Sequence, residues 1–332
     1  MLMKNRNIIS IALIVCLGIS AYLLNKKENS ITRTDRRDFA VADTSEVVKV
    51  ILTSKAPKTA ILERVNESLW TINENYKARK SGIFYLLKTL QRMEIAHPVP
   101  LSMRDNVLGN LAVKGIKVQV FLENGEEKTL YVGGENQELT ATFMMLQGAT
   151  EPYAVHIPGF RGYLSGRFFT HEYLWRDKTI MNYDNLNITS IKMQYHDVNE
   201  KSESFQIEKT NENFRLSAFN SQTIIEANSK KMDSYIASFR KLYAESFVSG
   251  TLNTDSLLQT KPIFDLTVST VNEPKTHIKV FHKKAAKGTY VDGDITMRDP
   301  ERMYALVNDE DWMVIQLNTF KKVMKKLSEL KK

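Results

Sequence analysis

Apolar and polar residues alternate over Val47 to Leu52 and again over Ala60 to Val65, and Leu69-Trp70-Thr71-Ile72 closes a small meander of half-buried strands. The period then changes. Ile83, Leu86, Leu87, Leu90 and Met93 share one face, which predicts an amphipathic helix over Ile83 to Ile95, opened by Ser81-Gly82 and ended by His97-Pro98. Alternation returns over Ile116 to Leu122 and Lys128 to Val132, with Asn124-Gly125 as the hairpin turn between them. Thr140 to Met145 and Tyr153 to Ile157 supply further strands, and Gly133-Gly134 reads as a turn.

The same order recurs downstream. Strands are predicted at Ile188 to Tyr195, Ser204 to Lys209 and Phe214 to Ser217, then a helix over about Lys230 to Glu245, then strands at Phe264 to Val271 and His277 to His282, with Asn272-Glu273-Pro274 as their turn. At an offset of about 143 to 151, Leu86 to Met93 matches Tyr235 to Leu242, Ile116 to Val120 matches Phe264 to Val268, and Thr129 to Val132 matches His277 to Val280. Val48-Lys49-Val50 likewise pairs with Ile191-Lys192-Met193, and Tyr153-Ala154-Val155 with Tyr304-Ala305-Leu306. The pattern predicts an α+β fold of two tandem copies, each a mainly antiparallel sheet with one covering helix. A chain of 332 residues is long enough to give each copy its own core. Apolar positions survive between the copies and ionisable ones do not, so the duplication reuses a scaffold and not a reaction.

Residues 8–24, IISIALIVCLGISAYLL, are apolar throughout, with Lys4 and Arg6 before them and Asn25-Lys26-Lys27 after. As a helix the run would be roughly 25 Å long, near the short limit for a membrane span. It ends in Tyr22-Leu23-Leu24 and not in the small residues of a signal-peptide cleavage site. A single transmembrane anchor is the first reading and a cleaved signal the second; both export the rest of the chain. Cys16, the only cysteine, sits inside the run with Val15 before it and Leu17-Gly18-Ile19 after, which argues against a lipidated cysteine. The organisation expected is thus an anchor or signal segment at 1–25, a flexible polar tether at 26–38, a first repeat with its junction at 39–180, and a second repeat at 181–332.

Net charge is +8, a mild basic excess whose clearest local source is the C-terminus. Phe320, Val323, Met324, Leu327 and Leu330 fall at helical spacing with lysines opposite, predicting a basic terminal helix packed on the second repeat, or one that touches anionic lipid or an acidic partner. Nucleic acid is disfavoured by export and by the lack of basic-aromatic motifs.

No catalytic constellation emerges. Histidines at 97, 156, 171, 196, 277 and 282 lack the spacing of a zinc site, and with no exported cysteine no metal or cofactor is expected. Ser165 lies outside a Gly-x-Ser-x-Gly elbow. The carboxylate pairs Glu126-Glu127 and Glu310-Asp311 fall in predicted turns as surface charge. Arg161, Tyr163, Arg167, Trp175, Arg176 and Asp177 differ in kind, because they interleave cations and aromatics with glycines along the junction. Such residues carry much of the energy of binding surfaces. They equally suit a structural staple between repeats, with Arg176 paired to Asp177 or another carboxylate.

The Trp70-Thr71-Ile72 step, the Leu86-Leu87-x-x-Leu90-x-x-Met93 helix, Tyr153-Ala154-Val155 running into Pro158-Gly159-Phe160, and Trp175-Arg176-Asp177 together resemble an uncharacterised bacterial family of membrane-anchored envelope proteins, catalogued as a domain of unknown function, four-three-four-zero. The second repeat departs by placing Phe214 where the first has Trp70. The resemblance covers most of 39–320 and implies an envelope protein of Bacteroidota-like bacteria, with relatives associated with gliding-type or transport machinery; the anchor at 8–24 adds the expectation of a single-pass inner-membrane protein with its bulk in the periplasm. It carries no catalytic residues. The function expected is non-enzymatic: a binding or scaffold module, an accessory subunit of an envelope machine, held to the membrane by its N-terminal helix with an envelope protein as partner. The alternative is a glycan or small-ligand binder using a cleft between repeats, with Trp175 as stacking platform and Arg161 or Arg167 as anion donors.

Overall fold

The structure, a computed structural model, describes residues 39–332 apart from 57, 185, 186, 212, 222 and 251. The expected anchor, tether and Cys16 therefore lie outside the described residues. No described helix is long and apolar enough to cross a membrane.

The chain divides into two compact units. Ser81–Thr170 and the described residues up to Glu74 make the first, and Asn75–Lys80 with His171–Lys332 the second. The main segment of the second unit thus begins at His171. The first repeat runs β1 (Val47–Thr53), β2 (Thr59–Asn66), β3 (Leu69–Ile72), β4 (Tyr76–Lys77), α1 (Lys80–Arg92), β5 (Glu94–Pro98), α2 (Leu101–Lys114), β6 (Ile116–Leu122), β7 (Glu127–Glu135), β8 (Thr142–Leu146) and β9 (Tyr153–His156). They form one sheet in the order β4-β3-β2-β1-β6-β7-β8-β9-β5.

The second unit runs α3 (Glu172–Trp175), β10 (Thr179–Met181), β11 (Ile188–Tyr195), β12 (Phe205–Thr210), β13 (Asn213–Ala218), β14 (Ile224–Ile225), α4 (Ser229–Ala237), β15 (Leu242–Tyr243) and β16 (Ser246–Phe247). It continues with α5 (Thr254–Leu258), β17 (Phe264–Thr270), β18 (Thr276–Lys284), β19 (Tyr290–Val291), β20 (Asp294–Ile295), β21 (Arg298–Val307), β22 (Asp311–Gln316), α6 (Leu317–Phe320) and α7 (Leu327–Leu330). Its large sheet has the order β14-β13-β12-β11-β17-β18-β21-β22-β16, while β10 with β15 and β19 with β20 form separate pairs. Strand for strand this is the order of the first sheet, so the fold is α+β with the same antiparallel arrangement built twice.

Register makes the correspondence residue-specific. Val50 faces Leu62 and Val120 across its neighbours, and Ile191 faces Ile207 and Val268. A bulge follows Val47 in β1 and Ile188 in β11. Even the cation beside the aromatic recurs: Arg64 lies opposite Trp70 with its guanidinium 5.0 Å from the ring, and Lys209 lies opposite Phe214 with its ammonium 6.0 Å away. Phe214 does stand where the first repeat has Trp70.

Two of the expected alignments shift. Val50 corresponds to Ile191 and not to Met193, a two-residue slip that alternation hides because it keeps every side chain on its own face. Tyr304 lies in β21, the equivalent of β8, so Tyr153-Ala154-Val155 corresponds instead to Met313-Val314-Ile315 of β22. In the helices the expected match is exact in spacing. Ile83, Leu86, Leu90 and Met93 are buried in the first repeat, and Met232, Tyr235, Phe239 and Leu242 in the second.

Three elements differ from expectation. The first helix stops at Arg92 because Glu94 to Pro98 pairs with β9 as an edge strand. The second stops at Ala237, tightens to a 3-10 turn over Ser238–Arg240, and gives way to β15. Helix α2 has no counterpart in the predicted pattern, since only Val107 and Leu111 of it are buried; with its half-buried Met103 they pack against Val99, Tyr131, Phe143 and Met145. Gly133 is part of β7 and not a turn; a Cβ there would sit 2.9 Å from Leu111 Cδ2, so glycine lets α2 approach the sheet.

The predicted basic terminal helix is not continuous. It breaks into the one-turn helices α6 and α7, because the carbonyls of Val323 and Lys325 accept hydrogen bonds from the Tyr235 and Tyr195 hydroxyls and leave the helical ladder. Its apolar residues still reach the core: Phe320, Val323, Leu327 and Leu330 are buried. Leu90→Ala and Phe239→Ala, equivalent positions that are fully buried, are each expected to cost roughly 3 kcal/mol in chemical denaturation of the full chain. A loss below about 1 kcal/mol at either would contradict equivalent helix packing.

Candidate ligand-binding site

The loop that succeeds β9 is held in place before any ligand is considered. Phe160 N donates to Ile157 O in a turn completed by Gly159 at φ +78. Gly162, at φ +142, lies against the Phe160 ring, where a Cβ would come within 3.1 Å. The Leu164 and Ser165 amides then both donate to the buried Thr142 Oγ1, at 2.7 and 3.2 Å, and Leu164 and Phe168 are buried beside them. A short 3-10 turn, Ser165–Arg167, presents the arginine.

Arg167 is gripped on two sides. Its Nη1 donates to Thr89 Oγ1 on α1 at 2.9 Å, and its guanidinium carbon lies 4.4 Å from the Phe160 ring centre. Burial draws its pKa down, an effect the Tyr85 hydroxyl opposes. Helix α1 buries one face and shows the other, where Phe84 and Tyr85 stand 55% exposed with their rings edge to face, and Lys88 reaches over Phe84 at 5.2 Å. Tyr85, Lys88 and Arg92, at i, i+3 and i+7, share that outer face with Phe160 and Arg167 around a groove of about 380 Å3. Its rim carries three cations and two aromatics and no carboxylate. The arrangement suits an anionic group with an apolar neighbour, since aromatic faces and cations each add to binding when partly desolvated.

The six junction residues do not act as one set. Arg161, Tyr163 and Arg167 belong to the first unit, where only Arg167 enters the groove; Arg161 and Tyr163 are exposed. Trp175, Arg176 and Asp177 belong to the second unit. Trp175 is completely buried at the end of α3, so its ring offers no stacking platform. Arg176 Nη2 pairs with Asp311 Oδ2 at 2.6 Å, its guanidinium 3.6 Å from the Tyr76 ring and 4.2 Å from that of Phe247. Asp311 is therefore a strand residue committed to an ion pair and not turn surface. Asp177 instead accepts from Thr179 and lies 3.7 Å from Lys77.

These side chains bind the Asn75–Lys80 segment into the second unit. Ala78 bridges Arg176, Arg79 N donates to Trp175 O, and Asp177 N donates to Lys77 O. Tyr85, Lys88, Arg92 and Phe160 escaped the sequence reading. The signal that could have found them was an aromatic-basic stripe on the predicted helix, opposite its apolar face.

Among the described residues no group of histidines and carboxylates could hold a metal ion. His196 Nε2 lies 3.3 Å from Asp265 Oδ1 in the second unit, both atoms buried and without a hydrogen bond. His196 borders a cavity of about 820 Å3 that Thr296 also lines, its hydroxyl turned to Arg298 O.

What the two sheets and the basic groove define is a tandem α+β repeat protein with a basic, partly aromatic groove on the outer face of a core helix. The chain belongs to the family described as Domain of unknown function (DUF4340), whose model matches residues 70–262, more than half of it. The match begins in β3 and ends before β17, so what the family shares includes the passage from one repeat to the next. No curated protein and no solved structure matches the chain.

Thr142→Val removes the acceptor of two amides and is expected to cost about 2 kcal/mol in denaturant unfolding, with faster amide exchange over 157–167. Unchanged exchange there would show that Thr142 does not set the loop. Arg176→Ala strips Asp311 of its partner and is expected to cost roughly 2 kcal/mol, less than for a fully buried pair because Asp311 keeps some solvent; Arg176→Lys should recover only part. A melting curve like wild type would contradict this staple.

Proposed function

We propose that this chain is a non-enzymatic, membrane-anchored periplasmic module that acts by binding, as an accessory subunit of an envelope machine. The apolar run at 8–24 would be its single-pass inner-membrane anchor, and residues 26–38 the tether that keeps the repeats near the bilayer. The observation that carries the binding reading is the first-unit groove, where Lys88, Arg92 and Arg167 meet Tyr85 and Phe160 with no carboxylate among them. Its occupant in this reading is an acidic segment of an envelope protein bearing an aromatic or aliphatic side chain.

Three features support it. Arg167 is fixed before binding by Thr89 and Phe160, so little side-chain entropy is lost on contact. Phe84 and Tyr85 expose apolar surface that a monomeric helix gains nothing by showing. Rim cations set encounter rate and salt dependence.

The test is a photo-crosslinking amino acid at Tyr85 in the full chain, in native membranes. A protease-sensitive adduct should form, and Lys88→Glu with Arg92→Glu should abolish it while membrane retention and melting temperature hold. A glycosidase-sensitive adduct would replace the protein partner by a glycan. No adduct, or one indifferent to charge reversal, would overturn the reading, and release by alkaline carbonate would overturn the anchor.

A further inference from the structure

The second unit has an open groove of about 600 Å3 of its own, along the outer face of α4. Lys230, Lys231 and Ser234 line it from the helix, and Lys322, Lys325 and Glu329 from the C-terminal segment. Four ammonium groups thus face one carboxylate. Glu329 is already committed: it accepts from Lys325 Nζ at 2.9 Å and from Lys326 N at 2.8 Å. Burial pushes its carboxyl up, but these bonds and the lysine charges outweigh burial and hold it below the usual range. It stays ionised and cancels one of the four cations.

The remaining charge is built in, not incidental. Lys322 Nζ is fixed by a 2.9 Å bond to Lys241 O, and the Tyr235 hydroxyl bonds Val323 O, which holds the segment bearing Lys322 and Lys325 beside the helix. Burial raises the pKa of that hydroxyl far above its ordinary value, so it remains a donor. Lys230 and Lys231 pair with no carboxylate among the described residues and occupy the first turn of α4, which contains no acid. Cations are unfavourable there, where the helix field is itself positive. A local conflict of this kind marks a functional position when an anion from outside resolves it.

The repeats supply a second, independent argument. At the helix spacing that matches Leu86 to Tyr235, the first-unit residues Tyr85, Lys88 and Arg92 correspond to Ser234, Ala237 and Lys241, so the first groove was not copied. A basic groove beside the same helix has nevertheless been rebuilt from other lysines.

We propose that this groove binds a phosphate group, as a monoester or diester anion, between Lys230 and Lys231 on one side and Lys322 and Lys325 on the other. Ser234 completes it as a neutral donor. The site is independent of the first-unit groove and of any protein partner there.

The test is lysine footprinting by reductive methylation of the full chain in alkyl maltoside micelles, which contain no phosphate, read by mass spectrometry. Inorganic phosphate is added in one arm, and phosphatidylglycerol is mixed into the micelles in another, each against chloride at matched ionic strength. Labelling of Lys230, Lys231, Lys322 and Lys325 should fall several-fold together while Lys287, an exposed lysine outside the groove, is unaffected. Protection by inorganic phosphate identifies a free phosphate ligand, and protection only with phosphatidylglycerol identifies a lipid headgroup. Protection in neither arm overturns the proposal. Lys230→Gln with Lys231→Gln should abolish the protection of Lys322 and Lys325 and leave the melting temperature unchanged or raised; protection that survives would equally contradict the site.

Discussion

Everything in this molecule depends on the central antiparallel pairs, β1 with β6 and β11 with β17. Val50, Leu52, Val118 and Val120 in one sheet, and Ile191, Met193, Leu266 and Val268 in the other, are all fully buried. A slip of one residue in either pair would turn that whole set to the opposite face. The equivalent bulges after Val47 and Ile188 pin the register in both. Beside each sheet, the helix that follows β4 or β14 and the residues just after it bury one apolar stripe of the same spacing.

That constraint leaves the outer face of the helix free to vary. In the first unit it carries Tyr85, Lys88 and Arg92, joined by a loop whose position comes from Thr142 and two positive-φ glycines. In the second it carries Lys230 and Lys231, joined by a C-terminal segment that two buried tyrosines pull out of helical geometry. Both solutions use core residues to place surface charge. Arg167 and Lys322 each donate a hydrogen bond to another part of their own unit, so the fold itself sets where these cations stand.

The duplication was legible in sequence because apolar alternation and the helix stripe are set by packing, and packing was conserved between the copies. The same regularity misled the alignment of Tyr304 with Tyr153, since any two half-buried strands share a period. The break in the terminal helix could not be seen, because Phe320, Val323, Leu327 and Leu330 keep helical spacing while distant tyrosine hydroxyls take the carbonyls of Val323 and Lys325. At the junction, residue type revealed Arg167 and Arg176 as special but not their roles. Arg176 found its carboxylate at Asp311, 135 positions away, and Trp175 went inward. Phe160 and the α1 stripe were hidden because each is ordinary alone and becomes a site only where loop and helix meet.

Native-state hydrogen exchange on the full chain tests the central claim most directly. One scaffold built twice requires two sets of slowest amides, on β1, β6 and β7 and on β11, β17 and β18, with α1 and α4 exchanging alongside their own sheets. A single protected set, with the equivalent strands of the other repeat exchanging like loops, would contradict it.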